Sequence, residues 1–198
     1  MPATRAATRQ DLFRHLADLQ IVTHTVEHEP LFTVAESGKL ERELPGAHTK
    51  NLFLKDESGE LFLVVAESTT RVDLKALART LGAGRFSFGK PELLMQALGV
   101  PPGSVTAFAL INDPERRVRL VVDAELMHRD SINCHPLENT ATTNIARDDL
   151  LRFVRACGHE PRSFRSARPG RPLAAPEPRR RGSLSVTRPT KSKAPAGQ

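Results

Sequence analysis

The sequence predicts an α+β fold: a single domain whose mixed, largely antiparallel sheet is covered by helices. Three observations carry this. Two apolar runs, Leu52–Leu54 and Leu61–Val65, flank the turn signal Asp56-Glu57-Ser58-Gly59 and read as a hairpin. Separate stretches place apolar residues at helical spacing between their own caps and stops, without the strict strand–helix alternation of a parallel sheet. A chain of 198 residues is long enough for one substantial core with some excess.

Taken in order, Leu12, Phe13, Leu16 and Leu19 form a helical stripe over 11–19, with Thr8 or Asp11 able to cap it. The alternation over 24–29 ends at Pro30 and suits a strand. Thr33 and Glu36 have the spacing of a capping box, which predicts a helix running to Leu44, where Pro45-Gly46 stops it. After the hairpin at 50–66, Asp73 caps a helix through Leu81, closed by Gly82. Residues 85–88 suit a short strand. Pro91 opens a helix through Leu98, closed by Gly99. The runs 108–111 and 117–122, about a turn at Asn112-Asp113-Pro114-Glu115, read as a second hairpin. A strand is expected at 131–134 and a last helix over 148–157, ended by Gly158.

Composition divides the chain. Residues 161–198 hold eight arginines, two lysines, one glutamate and seven of the fifteen prolines, a charge of +9 within a total of +6. The first 160 residues therefore carry −3. The reading is a slightly acidic domain over 5–160 followed by a disordered basic tail over 161–198, too polar to fold alone. Such a tail suits a polyanion such as RNA or an acidic membrane face, or serves only solubility. No apolar run reaches the ~20 residues of a membrane helix, and the basic start lacks the apolar stretch of a secretory signal. Cys134 and Cys157 are too few for a disulfide framework and have no CxxC spacing. Two reduced cysteines fit a cytoplasmic location.

Most familiar chemistries find no motif. Phosphate-binding loops of the GxxxxGK[ST] or GxGxxG type are absent, as are HExxH and GxSxG. His24 and His28 share one face of a strand but lack an evident third metal ligand, so no metal or other cofactor is expected. Three segments remain. HTKNLFLKD (48–56) sets Lys50 and Asn51 at the mouth of a strand. GVPPGSVTAFALIND (99–113) holds Gly103 between Pro102 and Ser104, where a tight turn can aim backbone N–H groups at a carbonyl or carboxylate. INCHPLENTATT (132–143) puts His135 before Pro136, with a polar cluster of Asn139, Thr140, Thr142 and Thr143 behind it. Singly, each reads better as a strand-end charge, an ordinary loop and a capped turn.

Together, in this order, the three strings resemble the YbaK/prolyl-tRNA-synthetase editing-domain family, and within it the free-standing ProXp-ala (PrdX) branch. The similarity covers about residues 8–160. It implies a trans-acting hydrolase that removes alanine from mischarged tRNA(Pro), with that tRNA and prolyl-tRNA synthetase as partners and no membrane. A synthetase pocket built for proline cannot strongly exclude the smaller alanine, so a second pocket must select by size. The family's lysine corresponds to Lys50, with Asn51 beside it, and its His-Pro segment to His135 and Pro136. The family's Gly-x-x-x-Pro loop maps onto Gly103, Ser104, Val105, Thr106 and Ala107, with alanine standing where the motif has proline. The resemblance thus implies catalytic Lys50 and His135, with Asn51, Gly103, Ser104, Thr106 and Ala107 binding substrate. Deacylation needs donors for an oxyanion and a positioned water. Lys50 can hold the terminal phosphate or meet developing charge, Gly103 can offer N–H groups, and His135 can order the pocket or the water. No general base is evident, which leaves room for the tRNA 2′-hydroxyl. Hydrolysis of a Ser- or Cys-charged tRNA and non-catalytic nucleic-acid binding are the alternatives.

Overall fold

Residues 5–30 and 44–166 are described by a computed structural model of the chain. The helix expected over 33–44 falls almost wholly on residues outside these, as does the tail beyond residue 166. Helix α1 (Arg9–Asp18) starts at Thr8, whose hydroxyl accepts from the Asp11 N–H while the Asp11 carboxylate accepts from Thr8. This reciprocal cap and the flanking Arg5 hold the Asp11 carboxyl down at about 2. Strands β1 (Thr23–Glu27), β2 (Ala47–Lys55) and β3 (Leu61–Glu67) follow. Helix α2 (Leu74–Leu81) begins at Asp73, whose side chain accepts from Lys75 and Ala76, and ends at Gly82. Strand β4 (Ser87–Phe88) precedes α3 (Pro91–Leu98), which opens on its proline and closes at Gly99 as the sequence predicts. The chain continues through a 3-10 turn η1 (Ala107–Asn112), β5 (Val118–Asp123), a second 3-10 turn η2 (Ala124–His128), β6 (Ser131–Cys134), β7 (Ala141–Ala146), α4 (Arg147–Ala156) and β8 (Arg162–Phe164).

The described strands form one mixed sheet in the order β1-β7-β6-β2-β3-β5-β8, with β4 against β2. The pairs β1/β7, β6/β7, β2/β3 and β2/β4 are antiparallel, while β2/β6, β3/β5 and β5/β8 are parallel. The expected hairpin at 50–66 is present, in the register Lys50↔Ala66 to Lys55↔Leu61. The main core fills one face, where Phe53, Leu63, Val65, Leu120 and Ile132 meet α1, α3, α4 and η1. A smaller core on the other face packs Leu54, Phe62, Val64 and Val121 under Leu77 and Ala78 of α2. No helix among the described residues is long and apolar enough to cross a membrane.

Three elements differ from expectation. The second hairpin does not form. Residues 108–111 lie in η1, because Thr106 caps a 3-10 turn there and Asn112 is anchored to Leu98 O and to the Ala7 N–H. A short apolar run does not by itself separate a strand from a buried helical turn. β5 instead pairs in parallel with β3. Strand β7 occupies part of the polar cluster read as a turn. β8 lies past residue 160, inside the segment assigned to the tail, and buries Phe164 in the smaller core. Three residues of backbone pairing with β5 and one aromatic anchor override a composition that is otherwise that of a tail.

The turn into β5 depends on Asp113. Its carboxylate is wholly buried and accepts from the Val118 N–H at 2.7 Å and the Arg117 N–H at 3.1 Å. An Asp113→Ala variant leaves two backbone donors without acceptors in a closed site. Unfolding in urea is expected to show a loss of about 2–4 kcal/mol. A loss below ~0.5 kcal/mol would mean that water replaces the carboxylate there.

Candidate active site

Regular pairing with β3 makes the side chains of β2 alternate strictly between faces. Ala47, Thr49, Asn51 and Phe53 point to the main core. His48, Lys50, Leu52 and Leu54 point to the opposite face, where Leu52 and Leu54 join the smaller core. On that second face the register puts His48 beside Asn133, Asn133 beside Asn144, and Asn144 beside His24. Side-chain contacts agree. Asn133 Nδ2 lies 3.1 Å from His48 Nε2, and Asn144 Nδ2 donates to Asn133 Oδ1 at 2.9 Å. The second face is thus apolar on β3 and β5 under α2, and polar on β1, β7, β6 and β2.

The chain enters this polar half at Pro45-Gly46. The Pro45 carbonyl accepts from both Asn133 Nδ2 and Asn144 Nδ2, each at 3.0 Å. Gly46 has φ +96°, and a Cβ there would fall 2.4 Å from Ser131 Oγ. Only glycine fits this approach.

β6 runs parallel to β2, with Ala47 beside Ile132 and His48 beside Asn133. Two residues further along the two chains stand Lys50, still within β2, and His135, past the end of β6. The printed pairing stops at His48 and Asn133, and at its far end β2 takes up β4 on that same edge, through Leu54↔Phe88. The strands therefore part between Lys50 and His135. The Lys50 ammonium donates to Ser68 O at 2.9 Å. Ser68 belongs to the wall of a cleft of about 580 Å³, with Gly46, His48, Glu67, His128 and Arg129. Among the described residues, neither His135 nor Gly103 lines that cleft.

His135 is half-buried. Its Nδ1 lies 3.0 Å from Ala141 O. A carbonyl only accepts, so Nδ1 carries the hydrogen, and in the neutral ring Nε2 is an acceptor. Burial pushes the imidazole below its usual range. The Ala141 carbonyl pulls it back up, and repulsion from His28 pushes it down again. His28 is a site neighbour that sequence reasoning weighed only as a metal ligand. Its Nε2 lies 2.9 Å from Thr142 Oγ1 and its ring centre 6.3 Å from that of His135. The strand spacing that put His24 and His28 on one face was the one signal for it.

The remaining residues lie elsewhere. Asn51 faces the main core side, where its Nδ2 reaches Thr49 Oγ1 at 3.5 Å and its buried Oδ1 has no partner among the described residues. Gly103, at φ +89°, is exposed, and a Cβ on it would come within 3.7 Å of Asn139 Nδ2. The glycine loop therefore abuts the 135–140 turn. Ser104, Thr106 and Ala107 are buried. Thr106 caps η1 by accepting from the Phe108 N–H, and Ser104 N–H donates to Pro101 O. Their side chains shape the loop from within, and only Gly103 of this set faces solvent. Cys134 lies under the same strands, but burial pushes its thiol up to about 12, with the Thr49 contact pulling slightly the other way. It has no thiolate at neutral pH with which to attack an ester.

Residues 28–153 match the model of the aminoacyl-tRNA editing domain. The chain is 41% identical over 155 residues to prolyl-tRNA synthetase associated domain-containing protein 1 of Danio rerio, covering 77% of this chain and 84% of that protein. It is 34% identical over 152 residues to the prolyl-tRNA editing protein ProX of Acetoanaerobium sticklandii, covering 76% and 93%. Its fold is similar to a crystal structure described as a candidate trans-editing enzyme for prolyl tRNA synthetase, with a TM-score of 0.60 at 17% identity over 79% of this chain and 96% of the other. A model match over residues 28–153 and 41% identity over 155 residues to a relative covered at 84% make this chain a member of the aminoacyl-tRNA editing domain family.

Proposed function

We propose that the chain is a trans-acting deacylase that hydrolyses alanine from mischarged tRNA(Pro). The observation that carries this reading is the match of residues 28–153 to the aminoacyl-tRNA editing domain, together with relatives named for prolyl-tRNA editing. An ammonium, an imidazole acceptor and a glycine turn suit an ester linked to a phosphate. Water attacks the alanyl carbonyl carbon, the bond to the ribose 3′-oxygen breaks, and alanine and the free 3′-hydroxyl leave. The proton lost by the water ends on that 3′-oxygen, carried by His135 Nε2 or by the adjacent 2′-hydroxyl. Lys50 has three N–H donors and uses one on Ser68 O, so others can meet the terminal phosphate or the oxyanion. Backbone N–H groups at Gly103 can take the same oxyanion. The unmet Oδ1 of Asn51 suits a substrate ammonium or hydroxyl. Relatives named for prolyl-tRNA editing support the choice of tRNA, and prolyl-tRNA synthetase is the natural supplier of the substrate.

The deciding assay follows ester loss from Ala-, Ser-, Cys- and Pro-tRNA(Pro). Fastest loss of alanine with proline spared is expected. Inertness towards all four would overturn the reading, and preference for serine or cysteine would change the substrate within the same class. Lys50→Ala is expected to lower kcat/KM by about 10²–10³, while unfolding free energy falls by no more than about 1.5 kcal/mol, the worth of one hydrogen bond. Undiminished turnover by that variant would remove Lys50 from the chemistry.

Ala107 concerns the loop. Thr106 is extended, at φ −154° and ψ 156°, as the residue before a proline must be. Ala107 opens η1, where a missing N–H is tolerated. An Ala107→Pro variant is therefore expected to gain about 0.4–1 kcal/mol in urea unfolding with turnover unchanged. A lower midpoint would show that the Ala107 N–H has a partner the fold needs.

The basic segment is tested by truncation after Ser166, which keeps β8 in place. The removed residues 167–198 hold six arginines, two lysines and one glutamate, a charge of +7. Deletion is expected to raise KM for tRNA and to flatten its dependence on salt, while kcat is unchanged. Equal KM at two salt concentrations for both forms would leave the segment without a role in substrate binding.

A further inference from the structure

His28 stands just past the end of β1, where its N–H donates to Thr140 O at 2.9 Å. Its ring is held at both nitrogens. Nδ1 lies 2.8 Å from Glu29 O, and since a carbonyl only accepts, Nδ1 carries the hydrogen. Nε2 of the neutral ring is then an acceptor, and the buried Thr142 hydroxyl donates to it at 2.9 Å. His135 shows the same arrangement, with its Nδ1–H on Ala141 O. Thr142 follows Ala141 directly, so one strand holds both rings. Their centres are 6.3 Å apart and their planes are inclined by 56°.

We propose that His28 is a positioning residue of the deacylation site, which orients Thr142 and keeps the neighbouring His135 ring an Nδ1-protonated acceptor. The proposal rests on the deacylase reading above. Its physics is repulsion between two neighbouring imidazoles held 6.3 Å apart. Charged groups around the pair come from three elements. Arg9 of α1 pairs with Glu27 of β1 and with Glu138 of the 135–140 turn, and Glu29 adjoins His28 in sequence. Arg9 is thus matched by its own carboxylates. Repulsion from the neighbouring His28 ring opposes a second proton on His135. Removing that repulsion lets His135 protonate at higher pH, so it ceases to accept sooner as pH falls. At this separation the shift is about half a pH unit in water and larger where water is scarce.

The experiment compares the full chain with His28→Gln, which keeps a partner for Thr142 without a titrating ring. His28→Asn, which keeps one for Glu29 O, is the second variant should the first not fold. Two measurements are made: the histidine ring Cε1–H titrations by NMR, with no tRNA present, and the pH profile of kcat/KM on Ala-tRNA(Pro). The expected result is an upward move of the His135 midpoint and an equal upward move of the acid limb. A folded variant with an unmoved midpoint overturns the proposal, even if its Tm falls, because a merely structural histidine would lower Tm alone. An unmoved acid limb with a shifted midpoint also overturns it, since His135 would then titrate without consequence for turnover. The two readings fail differently. A wild-type chain inert towards every ester sinks the deacylase, while an active one with an unmoved limb sinks only the role of His28.

Discussion

Strand β2 has more hydrogen-bonding edge than its neighbours cover. β3 takes one side from Thr49 to Lys55. The other side is divided, with β6 on Ala47 and His48, and β4 on Leu54 and Lys55. Between these the backbone of β2 has no strand partner among the described residues. His48 to Leu52 are half-exposed, so water can meet the backbone groups of this stretch. Beyond the last paired residues of β2 and β6 stand Lys50 on one chain and His135 on the other. Both ends of the gap are fixed. At one end the Pro45 carbonyl is held by two asparagine amides. At the other the Gly89 N–H donates to Phe53 O.

That constraint explains which parts of the chain were legible as sequence. Helices α1, α2 and α3 carry explicit start and stop residues, Thr8, Asp73, Pro91, Gly82 and Gly99, and their bounds follow from these. The first hairpin was legible because its turn residues lie between two apolar runs. β7 was not, because Thr142 and Asn144 point into the polar half of the sheet and break the pattern of an apolar strand. The residues that hide β7 from a hydrophobic period are the ones that hold His28 and Asn133. The 3-10 turn at 107–112 was misread for the opposite reason. Its residues are buried on all sides, and a continuous apolar run has no period to read. Ser104, Thr106 and Ala107 lie within the matched motif yet face inward. A motif records what a loop needs in order to hold its shape as well as what it shows a ligand.

The chemistry left to the site is narrow. Burial pushes both thiols up to about 12, so neither cysteine supplies a nucleophile at neutral pH. The groups that remain are an ammonium tied to a carbonyl and an imidazole held neutral. That pair suits a reaction in which water is the nucleophile and the substrate brings its own phosphate and hydroxyl. On the proposed reading, net negative charge on the first 160 residues does not bar a polyanion, because Lys50 would bring local positive charge and the arginines past residue 166 the longer-range attraction.

The turn from His135 to Thr140 shows how firmly the imidazole is held. The Leu137 N–H donates back to His135 O, closing a three-residue turn over Pro136. Leu137 itself sits at φ +71°, a conformation that costs a branched residue on the order of 1–2 kcal/mol. Its side chain is buried in the main core, and that burial offsets the strain. Glu138 is bound by Arg9 of α1, Asn139 adjoins Gly103, and Thr140 O accepts from the His28 N–H. The four residues behind His135 are thus tied in turn to the core, to α1, to the glycine loop and to β1. A glycine at 137 would remove the strain but also the core anchor that makes the turn rigid. Leu137 thus trades local strain for the core anchor that fixes the turn behind His135.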